Sequence, residues 1–333
     1  MKAALGAAIG LVALVVALGA NARSSALAGF APQWLKAVSA NEFWLGGHGR
    51  VLHTADGGRH FSRLPAPPAS GDVRFANSRD GFAFGWRTPL YTTHDGGRTW
   101  HRVALRSVLA LAAASGTAYA VTGRCARDGT CRDARFERSV VSRDAWISAP
   151  MPFAHAVPSF DLAARGSDVW LFGGSSSGRH RLRNVLARST NGGRTFVTGA
   201  APCYADLAAE LESISSRVVW AFCPTGLMGL AWRSSDGGAT FKVLPIPHCC
   251  ENGSWIAAAS DDIAVLSSVR GILRTTDGGV TWRFANAPRN GTYAAIEFVD
   301  ARNGFALGSI GAAPARLWRT TDSGASWHAV PIR

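Results

Sequence analysis

The stretch Arg274-Thr275-Thr276-Asp277-Gly278-Gly279-Val280-Thr281-Trp282 constrains the fold of this chain more than any other, because near copies of it recur along almost the whole length. Its residues are those of a tight hairpin turn. The Asp carboxylate accepts hydrogen bonds from backbone N–H groups just downstream, the glycines permit positive φ, and Thr and Trp open the returning strand. Copies with an Asp or Asn at the same place are centred on Asp56, Asp95, Asn191, Asp236, Asp277 and Asp322. The interval from Asp95 to Asn191 is about twice the others, and Ser142-Arg143-Asp144-Ala145-Trp146 supplies a weaker copy inside it, without either glycine. Successive positions from Asp56 through Asp144 to Asp322 then differ by 39, 49, 47, 45, 41 and 45 residues, which makes seven units.

A period in the forties, with several short strands in each unit, points to an all-β fold: a seven-bladed β-propeller of four-stranded antiparallel blades. In the sixth unit the strands are expected over 254–260, 263–269, 272–276 and 281–285, so the repeated turn joins the third strand to the fourth. The aromatics that follow the turns (Phe61, Trp100, Trp146, Phe196, Phe241, Trp282 and Trp327) are expected between neighbouring blades. Repetition from about Trp34 to the end, with no linker, argues for one closed ring over 29–333. The first blade begins near Gln33 and the last ends near Ile332, so neither is expected to donate a strand to the other.

Residues 1–28 follow a different pattern. Lys2 precedes an apolar run to about Ala20, followed by two small-x-small sites, Ala20-Asn21-Ala22 and Ala26-Leu27-Ala28. This is the pattern of a secretory signal peptide, with an uncleaved membrane anchor as the alternative, and either places the propeller outside the cytoplasm, in the periplasm or beyond. Six cysteines in an exported chain are expected to pair. Cys125 with Cys131 closes a short loop. For Cys203, Cys223, Cys249 and Cys250 two arrangements fit: Cys203 with Cys223 plus a vicinal Cys249/Cys250 bridge, which is favoured, or two crosslinks to the vicinal pair. A metal site built from these thiols and His248 lacks the separated pairs usual for zinc. No cofactor or metal is expected.

The repeats resemble Asp-box (BNR) repeats, S/T-x-D-x-G-x-T/S-W/F, as in sialidases, some glucan-cleaving hydrolases and the photosystem II stability/assembly factor group. The segments from Phe75 to Gly85 and from Phe298 to Gly308 resemble that last group's inner hairpin. The resemblance implies a seven-bladed propeller and leaves the role open. Reading the Asp boxes as ligand or Ca²⁺ sites is set aside, since seven hairpins in a ring are explained by turn chemistry.

A sialidase would need a Tyr nucleophile paired with a Glu. Tyr293 and Glu297 stand four apart in one expected inner strand, where equal parity puts both on one side as a surface pair. For a glycosidase using two carboxylates, Asp206 and Glu251 are the acids nearest the upper face of blades five and six. Charge is more informative. The formal net charge is +13, and net charge bears on association rather than fold. The loop between strands two and three of blade three holds Arg124, Arg127, Arg132, Arg135 and Arg138, and the same loop of blade four holds Arg179, Arg181 and Arg183. The expectation is a monomeric, non-catalytic propeller whose basic upper face binds an anionic protein segment, a polysaccharide or an anionic membrane surface. A glycosidase-type hydrolase on the same face is the alternative. Nucleic acid is disfavoured, because no stacking aromatics interleave these arginines.

Overall fold

The computed structural model describes residues 30–68, 71–105, 107–127, 131–153, 156–177, 181–204, 209–224, 229–247 and 255–332, with the backbone alone at 156–159, 175–177 and 181–182. The segment 1–28 lies outside the described residues. Seven four-stranded antiparallel sheets form a ring, and each is made of four consecutive strands. Blade one holds β1 (Trp34–Ala37), β2 (Phe43–Gly47), β3 (Arg50–Thr54) and β4 (Ser62–Leu64). Blade two holds β5 (Asp72–Phe75), β6 (Gly81–Phe84), β7 (Leu90–Thr93) and β8 (His101–Val103). Blades three and four have longer strands: β9 (Ser107–Ala114), β10 (Thr117–Cys125), β11 (Cys131–Val140) and β12 (Ile147–Pro150), then β13 (Ala156–Arg165), β14 (Asp168–Ser177), β15 (Arg181–Ser189) and β16 (Val197–Ala200). Blade five holds β17 (Glu210–Ser213), β18 (Val219–Pro224), β19 (Gly229–Ser234) and β20 (Lys242–Val243). Blade six holds β21 (Ile256–Ala258), β22 (Ala264–Ser268), β23 (Gly271–Thr275) and β24 (Arg283–Phe284), and blade seven holds β25 (Gly291–Phe298), β26 (Gly304–Ile310), β27 (Arg316–Thr320) and β28 (His328–Val330).

The repeated turn joins strands three and four as the sequence implies, and its bonding repeats from blade to blade. In blade six the Thr275 hydroxyl donates to Asp277 Oδ1 at 2.8 Å and accepts from Gly279 N–H at 2.9 Å. The same carboxylate accepts from Thr281 N–H (2.9 Å) and Thr281 Oγ1 (2.6 Å). Gly278 and Gly279 sit at φ 70° and 90°, a region that a side chain makes costly. These hydrogen bonds hold the Asp277 carboxyl down at about 2, the Thr281 hydroxyl contributing most. The carboxylate oxygens are therefore used by the turn itself.

Blade three departs from the pattern. Ser139 occupies the place of Thr275, but its hydroxyl donates to the Val140 and Arg143 carbonyls. Asp144 does not cap its own turn; its Oδ2 accepts from Thr92 Oγ1 of blade two at 2.9 Å. The blade-three copy is a turn of a different kind: without glycines it does not take the two successive positive-φ steps of the other turns.

Apolar burial lies between blades. Trp282 packs with Trp220 and Phe222 of blade five, Trp327 with Val265 and Ile272 of blade six, and Phe196 with Phe136 of blade three. Trp44 of blade one stacks on Phe75 of blade two, centroids 3.8 Å apart, and its indole N–H donates to the Gly96 carbonyl at 3.0 Å. The ring closes without strand exchange, through Leu35, Phe43 and Leu45 against Phe305, Leu307 and Leu317. A hydrogen bond adds to this apolar closure: Glu297 Oε1 accepts from Ala37 N–H at 2.6 Å.

Candidate binding face

Inner strands run from one end of the ring to the other, so the second-to-third-strand turns and the links between blades share the face opposite the Asp boxes. At this upper end the hairpin joining β10 and β11 is pinned across its base by the Cys125–Cys131 disulfide, Cα atoms 4.0 Å apart. Arg124 lies opposite Arg132 in register. Arg124, Arg127 and Arg132 are exposed, and Arg124 meets Asp133 at 3.6 Å. On the neighbouring hairpin Arg183 is exposed, opposite Ser175. Arg181 shares that strand, and Arg179 lies outside the described residues.

Two arginines of the expected patch stand elsewhere. Arg135 is half-buried and donates to Ser148 Oγ at 2.6 Å, part of a chain that ends on the buried Glu137. Arg138 lies near the Asp-box end of β11, opposite Tyr119 and Ile147. It directly precedes Ser139, the register position that Arg188, Arg233 and Arg274 hold before the box Ser or Thr. Those three tie neighbouring blades together: Arg188 donates to the Ser216 carbonyl, Arg233 to that of Asp261 and Arg274 to that of Ser323, at 3.1, 3.0 and 2.8 Å.

The structure adds other cations to the upper end. Arg50, Arg87, Arg270 and Arg316 stand, exposed, at the second-to-third-strand turns of blades one, two, six and seven, and Arg289 lies over the Phe284 ring at 3.7 Å. Aligning those turns across the repeats would have found them. Among the described residues of these turns the one carboxylate is at Asp133. At the Asp-box end, by contrast, Asp168 stands against Arg188 and Asp262 against Arg233. Among the described residues, exposed arginines therefore outnumber carboxylates at the second-to-third-strand turns.

Sequence reasoning missed the central channel. Lys36, Arg74, Glu212 and Glu297 hold the same register on β1, β5, β17 and β25, each opposite the second residue of the second strand: Trp44, Phe82, Trp220 and Phe305. They line a cavity of about 260 Å³. Arg74 Nε lies 3.1 Å from Asp72 Oδ2, and Lys36 Nζ 3.4 Å from Asp72 Oδ1. Asp161 accepts from Leu211 N–H of the next blade at 2.6 Å. Burial pushes Glu212 and Glu297 up to about 7, with repulsion from Glu297 adding to the first and from Asp72 to the second, and Glu210 likewise through burial and Asp161. Burial raises Asp161 to about 6. The Arg74 and Asp72 side chains nevertheless keep 47% and 40% of their exposure. The channel surrounds these groups with protein but admits water, which screens their interactions.

The Tyr293–Glu297 parity fails because a β-bulge intervenes: Tyr293 faces Gly308 and Glu297 faces Phe305, so the two lie on opposite sides of the strand. Neither is a surface residue. Tyr293 is in the core between blades six and seven, and Glu297 is at the channel. Asp206, Glu251, His248, Cys249 and Cys250 lie outside the described residues. Cys203 and Cys223 are bonded. Two disulfides suit an oxidising compartment, and among the described residues no helix is long and apolar enough to cross a membrane.

With the turns, the ring and the inter-blade aromatics in place, a family model of the BNR/Asp-box repeat matches residues 91–102. The chain is a seven-bladed β-propeller, and one of its turns matches that repeat. Comparison of the sequence with curated proteins gives no match. Among solved structures the propeller is similar to that of YCF48 bound to D1 peptide, at 18% identity and a TM-score of 0.56, over 87% of this chain and 93% of that one. YCF48 from Cyanidioschyzon merolae gives 16% and 0.54, over 86% and 93%. A Mycobacterium tuberculosis puromycin-hydrolyzing peptidase gives 11% and 0.62, over 88% of this chain and 52% of the peptidase. At such identities the likeness is one of fold.

Proposed function

We propose that this chain is an exported, non-catalytic propeller that holds an acidic protein segment on its upper face, as a binding or assembly factor in the cell envelope. The observation that carries this reading is the one-sided charge. Arg124, Arg127, Arg132 and Arg183 crowd two adjacent hairpins, with Arg181 on the same strand, and further arginines ring the same end. Guanidinium groups hold carboxylates through paired N–H donors, and a cluster can bind a polyanion where one exposed pair contributes little. The Cys125–Cys131 bridge fixes the blade-three hairpin in advance, which lowers the ordering cost of binding. A peptide seated on a propeller of this kind has a precedent in YCF48 with D1 peptide. The apolar run to about Ala20 followed by small-x-small sites, together with the two disulfides, supports export.

The test is retention of partners from the native envelope on the full chain, comparing wild type with a variant carrying Arg127→Ala, Arg132→Ala and Arg183→Ala. A control carries Arg59→Ala and Arg98→Ala at the Asp-box end. Loss of an acidic protein from the first variant alone, weakened by salt, is the expected result. Equal loss from both reduces the patch to general basicity. Binding of acidic polysaccharide or anionic liposomes in place of protein would reassign the partner. Turnover of fluorogenic glycosides, abolished by Asp206→Asn or Glu251→Gln, would replace the binding reading with a hydrolase.

A further inference from the structure

Blade boundaries on the Asp-box side are tied by cations of fixed charge at Arg188, Arg233 and Arg274. Blade two has Thr92 at that register position, where its hydroxyl reaches Asp144 of blade three, and a histidine adds a second contact across the same boundary. His94 lies in the turn after β7, with Nδ1 2.7 Å from Asp80 Oδ1 and Nε2 3.5 Å from Asp144 Oδ2. Asp80 belongs to blade two and is held by Asn77, whose Nδ2 donates to its other oxygen at 2.9 Å. Asp144 belongs to blade three and is the carboxylate released by the glycine-free turn; Thr92 Oγ1 orients it at 2.9 Å. An imidazole with a carboxylate oxygen against each nitrogen can donate to both only when both nitrogens carry protons. The neutral ring must turn a lone pair toward one of the two carboxylates.

We propose that His94 is a proton-operated clasp between blades two and three, closed as the imidazolium bridging Asp80 and Asp144 and released toward blade three when one proton leaves. The other charged groups around the ring are Arg79, whose Nε donates to the His94 carbonyl at 3.4 Å, the adjacent Asp95, and the exposed Arg143 beside Asp144. Asp95 is already satisfied by Thr93 and Thr99. Burial disfavours the charged ring, but the hydrogen bond to Asp80 and the charge of Asp144 outweigh it and raise its pKa above the ordinary value. The clasp thus contributes fully below about pH 6.5, the ordinary histidine value, and is lost as pH rises through the higher folded value. Its position gives it a target. The turn that holds Asp144 follows β11, and the opposite end of β11 carries the hairpin with Arg124, Arg127 and Arg132.

Two measurements on the full chain test this. In long-range proton–nitrogen spectra of histidine-labelled protein at pH 6, the His94 ring is expected to carry protons on both nitrogens, with a titration midpoint that falls in the Asp144→Asn variant. Amide exchange across 92–95 and 141–146, corrected for the intrinsic rate, is expected to show protection falling roughly threefold to tenfold between pH 6 and pH 9, as for a partly exposed charge-assisted bond. The fall should be absent in His94→Gln. A ring protonated on one nitrogen only at pH 6 would overturn the proposal, and that measurement needs no variant. So would an unmoved midpoint in Asp144→Asn, or equal pH dependence in wild type and His94→Gln.

Discussion

The Asp-box rim and the central channel are built with the same side chain, the carboxylate, and treat it in opposite ways. On the rim, Asp95, Asp236 and Asp277 each accept backbone N–H and hydroxyl hydrogen bonds within one turn and are held down at about 2. In the channel, Glu210, Glu212 and Glu297 are drawn together by ring closure with Lys36 and Arg74 as the nearby cations, and are pushed up to about 7. The signs of the two pH dependences follow. A lowered carboxyl adds stability above about 3.8 that is lost as pH falls toward 2. A raised one leaves the folded chain binding more protons than the unfolded chain between about 4.5 and 7, so stability declines as pH rises through that window. One group of acids supports the fold and the other is tolerated by it.

The largest effect is expected where the rim meets the core. Gly238 sits at φ 92°, and an added Cβ would lie 3.0 Å from Leu186 Cδ2 and 3.2 Å from the Trp170 ring. Gly238→Ala combines left-handed strain with overpacking and should cost about 2 to 4 kcal/mol, read as a shift in the denaturant midpoint. A loss below about 0.5 kcal/mol, the range of an ordinary surface change, would mean that the turn relaxes freely and that the rim does not carry the fold.

Next come two channel substitutions with opposite signs. Arg74→Met removes the cation that faces Asp72, Asp161, Glu212 and Glu297 and should destabilise by about 1 to 2 kcal/mol at pH 8, after discounting for water in the channel. At pH 5, where the glutamates are protonated, the cost should shrink. Glu212→Gln removes one crowded charge and should raise the melting temperature at pH 8 while leaving it unchanged at pH 5. If both variants responded alike at the two pH values, the channel acids would be solvated independently of one another.

What the sequence made legible was whatever lies within one turn. Thr275, Asp277, Gly279 and Thr281 bond to each other within a single hairpin, so the hairpin, its repetition, the blade count and the inter-blade aromatics could be read directly. The channel joins Lys36 to Glu297 across the closure of the ring, and nothing local marks that contact. A faint signal existed: Arg74, Glu212 and Glu297 are charges inside short inner strands. Parity could not place Tyr293 because a bulge breaks the alternation, and Asp144 looked like a box aspartate because the loss of glycines changes a turn without changing its aspartate. Arg138 is near Arg135 in sequence, but a strand of ten residues carries its ends to opposite faces.

The smallest effect, and the finest test of the rim, is Asp236→Asn. Asn191 shows that the turn works with an amide: its Oδ1 accepts from Ser189 Oγ, Arg194 N–H and Thr195 N–H, while its Nδ2 donates to Thr195 Oγ1 at 2.8 Å. In the blade-five turn Thr240 Oγ1 donates to Asp236 Oδ2 at 2.6 Å. The substitution therefore asks only that this hydroxyl rotate from donor to acceptor. The melting temperature at pH 7 should fall by no more than about a degree or two, the scale of a few tenths of a kcal/mol in a chain of this size. The acid side is where the variant should differ, because an amide at this position has no proton to take up as pH falls from about 4 toward 2. The gap between wild type and variant should close over that range. A gap that stayed constant from pH 7 to about pH 2.5 would show that the Asp236 carboxylate is not held down by its turn, and the contrast between rim and channel would then rest on the channel alone.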